Sequence, residues 1–172
     1  MAIKIDRAAE VLAGHENFAV VEPNHLSAPR NGQVYGQLPA DDSITVLENG
    51  MFVKYDYANG KCSFDGEGPT FMVFNEEKLY DERKQMHRDF AQLKADALDG
   101  VITPRVVKLS VGDIFTTNCV AAAEYTVGDK LVPGADGVLA AGETGAVVCK
   151  VVAETTLPDG QNAVKLQVVT AE

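Results

Sequence analysis

Val147-Val148-Cys149-Lys150-Val151-Val152-Ala153-Glu154, then Pro158-Asp159-Gly160, then Val164-Lys165-Leu166-Gln167-Val168: the fold class turns on how these residues alternate. Val147, Cys149, Val151 and Ala153 fall on one face of an extended chain, with Lys150 and Glu154 on the other beside Val148 and Val152. Val164, Leu166 and Val168 alternate in the same way with Lys165 and Gln167. Side chains of a strand point to opposite faces in turn, so a period of two reads as a half-buried strand. Pro-Asp-Gly between the two runs supplies turn chemistry. The spacing predicts an antiparallel hairpin.

Working outward, turn signals punctuate residues 104–172 every several positions: Gly112-Asp113, Gly128-Asp129, Pro133-Gly134, Asp136-Gly137 and Ala141-Gly142. Many short strands at this spacing predict a small antiparallel β-barrel or sandwich. Strand–helix alternation is absent, which excludes a doubly wound sheet. A faint echo sets Ser110-Val111-Gly112-Asp113-Ile114 against Thr126-Val127-Gly128-Asp129-Lys130-Leu131, sixteen residues apart. Two copies cannot stack a solenoid core, so the echo reads as one turn chemistry used twice.

Further upstream, Ile44, Val46, residues 51–57 and 70–74 are rich in β-branched and aromatic residues and predict strands. Asn59-Gly60 predicts a tight hairpin with a type I′ turn, residues 61–64 returning as the partner strand. The period then changes: Leu79, Met86, Phe90, Leu93 and Ala97 lie at helical spacing, predicting one amphipathic helix over 76–98. Asn75 is its N-cap and Asp99-Gly100 its stop; if 81–85 is a loop, the helix is shorter and begins near Lys84. Residues 1–43 are loop-rich, broken by clusters such as Ala28-Pro29-Arg30-Asn31-Gly32 and Leu38-Pro39-Ala40-Asp41-Asp42. They predict an extended arm over the protein's own surface or a partner's. The expected organisation is an N-terminal arm (1–43) and a mainly β, α+β domain (44–172) with its helix inserted at 76–98 and a barrel-like part at 104–172.

The bulk numbers narrow the function. A chain of 172 residues buries roughly 70 % of its unfolded surface and folds without staples. Its net charge of −10 disfavours nucleic acid, whose binding depends on Lys and Arg neutralising phosphates. An anionic membrane surface is disfavoured for the same reason. Lys4, Asp6, Arg7 and Glu10 break up any signal-peptide core, and no apolar run approaches the ~18 residues of a membrane span. Synthesis in the cytoplasm is the expectation.

No nucleophile elbow, Walker loop, zinc-protease helix or dinucleotide fingerprint is present. Cys62, Cys119 and Cys149 form no Cys-x-x-Cys pair; one disulfide is open, reduced thiols are the plainer reading, and Cys149 reads as a small core residue. His15, His25 and His87 lack metal-ligand spacing. Asp41-Asp42, Asp65 with Glu67, Asp136 and Asp159 read as solvated turns rather than paired catalytic or calcium-binding carboxylates. No catalytic, cofactor-binding or metal-binding residue is assigned, and a non-enzyme is expected. Two other readings stay open: a small-ligand or carbohydrate-binding β module, and a small hydrolase using carboxylates or His87.

Residues 107–169 carry a resemblance. The Val-Gly-Asp turn followed by Leu-Val and Asp-Gly (127–138), Ala-Gly-Glu-x-Gly before a Val-rich strand (141–148), and the closing Val-Lys-Leu-Gln-Val (164–168) resemble the small β domains of tailed-bacteriophage capsid decoration, or cement, proteins. The resemblance implies a structural virion protein that binds the outside of a phage capsid and stabilises it by bridging capsid subunits. Its partners would be the major capsid protein or other virion proteins, with a homo-oligomer open, and its location the capsid surface. The N-terminal arm is the expected contact, through Ile3, Ile5, Phe18, Leu26, Arg30 and Tyr35, apolar or basic residues with no core apparent from sequence.

Overall fold

The structure is a computed structural model that describes residues 2–12, 18–75, 91–158 and 160–172. In chain order its elements are β1 (Ile3–Ile5), α1 (Arg7–Leu12), β2 (Val21–His25), α2 (Ala28–Asn31), β3 (Val34–Tyr35), β4 (Val46–Leu47), β5 (Phe52–Asp56) and β6 (Lys61–Ser63). There follow β7 (Thr70–Val73), β8 (Gln92–Leu93), a 3-10 turn (Leu98–Gly100), β9 (Val106–Val107), β10 (Ile114–Thr117) and β11 (Ala123–Tyr125). The chain ends with β12 (Lys130–Pro133), β13 (Leu139–Ala141), β14 (Val147–Thr156) and β15 (Asn162–Ala171).

The strands form a six-stranded sheet, β13-β12-β14-β15-β10-β2, and a five-stranded sheet, β3-β9-β7-β5-β6. Two ribbons, β1-β11 and β4-β8, complete the set. Neither large sheet closes on itself, and they share one core, so the fold is a β-sandwich and not a closed barrel.

The β14–β15 hairpin anchors it, running from Val147↔Ala171 to Thr156↔Asn162. Val147, Cys149, Val151, Val164, Leu166 and Val168 all enter the shared core, as their alternation predicts. Ala153 does not: the register shifts between Val151 and Ala153, and this irregularity turns it out of the core. The five-stranded sheet is covered on both faces. Met72 and Phe74 join Phe52 and Val107 against the six-stranded sheet. Phe71 and Val73 point the other way, into a second core with Val53, Tyr55 and Val106 that residues 38–47 and 97–102 roof over. Burial on both faces is why 71–74 is an unbroken apolar run.

Two expectations change. Asp56 pairs with Lys61, so the β5–β6 loop has four residues, not a two-residue type I′ turn. The Asp56 carboxylate caps it, accepting the N–H groups of Ala58 and Asn59, both at 3.0 Å. Residues 76–90 of the expected helix lie outside the described residues. Its remainder is not α-helical: Gln92 and Leu93 pair with Leu47 and Val46, and the Lys94 N–H extends the ribbon to the Thr45 carbonyl at 2.9 Å. Of the stripe, Ala97 packs on the second core, while Leu79, Met86 and Phe90 lie outside the described residues. Of the two surfaces expected for the N-terminal segment, the described residues 2–12 and 18–43 lie over the protein's own sandwich, giving β1 to a ribbon, β2 to the six-stranded sheet and β3 to the five-stranded one.

Candidate functional site

The echo seen in sequence is a structural duplication. In each Val-Gly-Asp turn glycine occupies the third position with φ of +96° (Gly112) or +108° (Gly128), the left-handed region that a type II turn requires. The N–H of Asp113 donates to the Ser110 carbonyl at 3.0 Å, and that of Asp129 to Thr126 at 3.2 Å. Each carboxylate reaches back to the first residue's N–H: Ser110 to Asp113 Oδ2 at 2.9 Å, Thr126 to Asp129 Oδ2 at 2.8 Å.

Each turn also docks on the hairpin through two main-chain bonds. The Gly112 N–H donates to the Val168 carbonyl at 2.9 Å and receives its counterpart in Val168 N–H to Asp113 O at 2.9 Å. Gly128 donates to Val151 at 2.9 Å, and Val151 to Asp129 at 2.8 Å. The strands that follow keep the correspondence: Ile114 pairs with Gln167, Lys130 with Lys150, and Lys150 with Gln167. A local two-fold axis normal to the sheet therefore passes between Lys150 and Gln167. It relates β10 to β12 and β15 to β14.

At the tips stand Val111, 66 % exposed, and Val127, 61 % exposed. The turns occupy lanes three strand spacings apart, roughly 15 Å across the sheet, and extend in opposite directions along the strands. A two-fold axis normal to the sheet presents both in the same sense. A large exposed apolar side chain on a backbone this firmly held loses little further freedom on being covered. The duplication was visible in sequence, but the exposure of its valines was not, because valine next to a turn glycine reads equally well as core.

Most of the expected contact residues are engaged internally. Ile5 is 1 % exposed and belongs to the shared core, so it is withdrawn as a partner contact. Ile3 and Leu26 pack against that core. Tyr35 lies in the second core's aromatic cluster, 5.0 Å from Phe71 and 6.3 Å from Tyr55 between ring centroids. Phe18 is half-buried, while Arg30 remains exposed on α2. Side chains of the large sheet pin this segment: Asn118 Oδ1 accepts the Val20 N–H at 2.8 Å, Thr117 Oγ1 donates to the Val20 carbonyl at 2.8 Å, and Asp113 Oδ1 accepts the Ser27 N–H at 2.9 Å.

The chemically capable groups are otherwise occupied. Burial pushes the Cys62 thiol up to about 11 and those of Cys119 and Cys149 up to about 12, so all three are un-ionised at neutral pH. Asp41 is held down to about 2, chiefly by the Ser43 N–H and hydroxyl, with Lys61 assisting. Asp42 is lowered by Lys61 and Lys94. These carboxylates serve turns and ion pairs. Among the described residues no group of His, Cys, Asp and Glu side chains could hold a metal ion, and no helix is long and apolar enough to cross a membrane. His15, His87 and Asp159 lie outside the described residues; His25 is exposed on β2.

A cleft of about 330 Å³ lies beside β3, lined by Tyr35, Asn75, Gln92 and Arg105 among others. The Gln92 Oε1 is buried with no hydrogen-bond partner among the described residues. Comparison with protein-family models, with curated proteins and with solved structures finds no match to this chain.

Proposed function

We propose that the chain is a structural virion protein that binds the outside of a phage capsid and stabilises it by bridging neighbouring capsid subunits. The observation that supports this reading best is the pair of rigid valine tips on one sheet. Bridging needs two contacts of the same kind, and this surface offers two copies of one contact. Covering a valine contributes on the order of 1.5 kcal/mol, a weak anchor alone. Two anchors on one rigid body act together, because the second engages at a high effective concentration. The resemblance of residues 107–169 to decoration proteins points the same way, and the turns lie within it. The net charge of −10 suits a protein that stays clear of packaged DNA. The contact surface proposed here is accordingly Val111 and Val127, in place of the N-terminal segment.

Sedimentation with capsid shells from the same infected cells tests the proposal. Wild-type protein pellets with the shells and raises their melting temperature. Val111→Asp and Val127→Asp each weaken binding about tenfold, the loss of one buried valine, and the double variant stays in the supernatant. Wild-type protein that ignores the shells would end the proposal.

The cleft beside β3 favours a second reading, a module for a small polar ligand carrying a donor for Gln92 Oε1. A ligand that raises the melting temperature of wild-type protein but not of Gln92→Leu would support it.

A further inference from the structure

The chain contains three Asn-Gly pairs, Asn31-Gly32, Asn49-Gly50 and Asn59-Gly60, and the fold treats them differently. Such a pair can react with itself, because glycine leaves its own backbone nitrogen unshielded. Asn49 is 3 % exposed, and its Oδ1 accepts the Asn75 N–H at 2.8 Å. The Gly50 N–H is bound to the Val73 carbonyl at 2.9 Å, and a Cβ on Gly50 would lie 2.7 Å from that of Cys119. Asn31 closes α2, and the Gly32 N–H is committed to the Ala28 carbonyl. Asn59 is exposed in the β5–β6 loop; a Cβ on Gly60 would meet nothing within 4 Å, and the Gly60 N–H has no hydrogen-bond partner among the described residues.

One contact restrains the reactive pair. Asp56 Oδ1 accepts the Asn59 N–H at 3.0 Å, and Asp56 Oδ2 accepts the Asn59 side-chain amide at 2.6 Å. The amide must leave this clamp before its carbon can meet the Gly60 nitrogen.

We propose that Asn59 is a site of spontaneous succinimide formation in the folded protein, with Asp56 as the gate that sets its rate. The Gly60 nitrogen bonds to Asn59 Cγ, the Cγ–Nδ2 bond breaks, and the Gly60 proton leaves with the nitrogen as ammonia. Water then opens the ring to aspartate or isoaspartate; no electron carrier is involved. The product places a carboxylate against the Asp56 carboxylate where the amide once donated, so the loop loses its cap and the hairpin tip opens. Isoaspartate also lengthens the main chain there, disturbing the Asp56↔Lys61 pairing.

Peptide-mapping mass spectrometry of the full chain, aged folded at neutral pH and separately in denaturant, reads the reaction at all three sites. In denaturant the three pairs convert at similar rates. In the folded protein Asn59 converts fastest, Asn31 more slowly and Asn49 not measurably. Asp56→Ala speeds conversion at Asn59 about tenfold, the loss of one charge-assisted hydrogen bond. Equal rates at the three sites in the folded protein, or an Asn59 slower than Asn31, would overturn the assignment of the site. A folded Asp56→Ala protein with an unchanged or slower rate would overturn the gate, and the ranking in wild type decides the site even if that variant unfolds.

Discussion

Gly68 shows how little room a single position can have. A Cβ there would lie 1.4 Å from the Tyr55 carbonyl oxygen, and Tyr55 is a fully buried residue of β5 whose N–H donates to Pro69 at 3.0 Å. Neither backbone can withdraw without breaking the central sheet. Gly68→Ala is expected to cost about 3 kcal/mol or more. At roughly 2–4 °C per kcal/mol for a chain this size, thermal unfolding should then fall by about 6–12 °C. Gly36→Ala, with open space around the new Cβ, should leave the midpoint nearly unchanged. The titrating residues give a second expectation. Asp41, Asp42 and Asp56 have folded pKa values below the ordinary one, so their contribution is present above about pH 4 and fades as pH falls through the folded values, about 2 for Asp41. The buried thiols act in the opposite sense: an acid whose pKa is raised on folding favours the native state until pH passes its unfolded value near 9. Stability should therefore decline from about pH 9 towards 11–12, each thiol adding up to about 1.4 kcal/mol per pH unit to the slope. Denaturant titrations across pH would show both limbs, and Cys149→Ala should flatten the alkaline one.

The elements differ in how legibly the sequence encodes them. The β14–β15 hairpin was legible because its two faces meet different surroundings, core and solvent, and its alternation records that. β7 was legible for the converse reason, being apolar on both faces. β4 was marked by Val46, though not its pairing with Leu93; the two-residue strands β3, β8 and β9 were not legible, since each exists only through a partner far along the chain and nothing local marks Val34 for Val107. Asn59-Gly60 marked a real hairpin, but the loop length follows from the Asp56 cap. The N-terminal segment had no core apparent from sequence because the one that Ile3, Ile5 and Leu26 join lies on strands far along the chain. Asn118 holds part of it there: its Oδ1 binds the Val20 N–H, and its amide donates to Gln161 Oε1 at 3.1 Å. Asn118→Ala removes both hydrogen bonds and should cost about 1–3 kcal/mol. Hydrogen exchange should accelerate selectively over residues 20–27. Uniform acceleration across the chain would mean that Asn118 supports the whole sandwich and not this strap.

For the whole molecule, two cores share one central sheet, and the six-stranded sheet carries a local two-fold relation between its two Val-Gly-Asp turns. The N-terminal segment flanks both turns, Ser27 bonding to Asp113 at one and β1 pairing with β11 directly before the other. The proposed function requires the Val111 and Val127 tips to be covered in the assembled state. Hydrogen exchange of the protein bound to capsid shells, against the free protein, measures this directly. New protection is expected at 110–113 and 126–129 together, with residues 18–35 unchanged. Protection confined to 18–35, or none at either turn in a shell-bound sample, would contradict it.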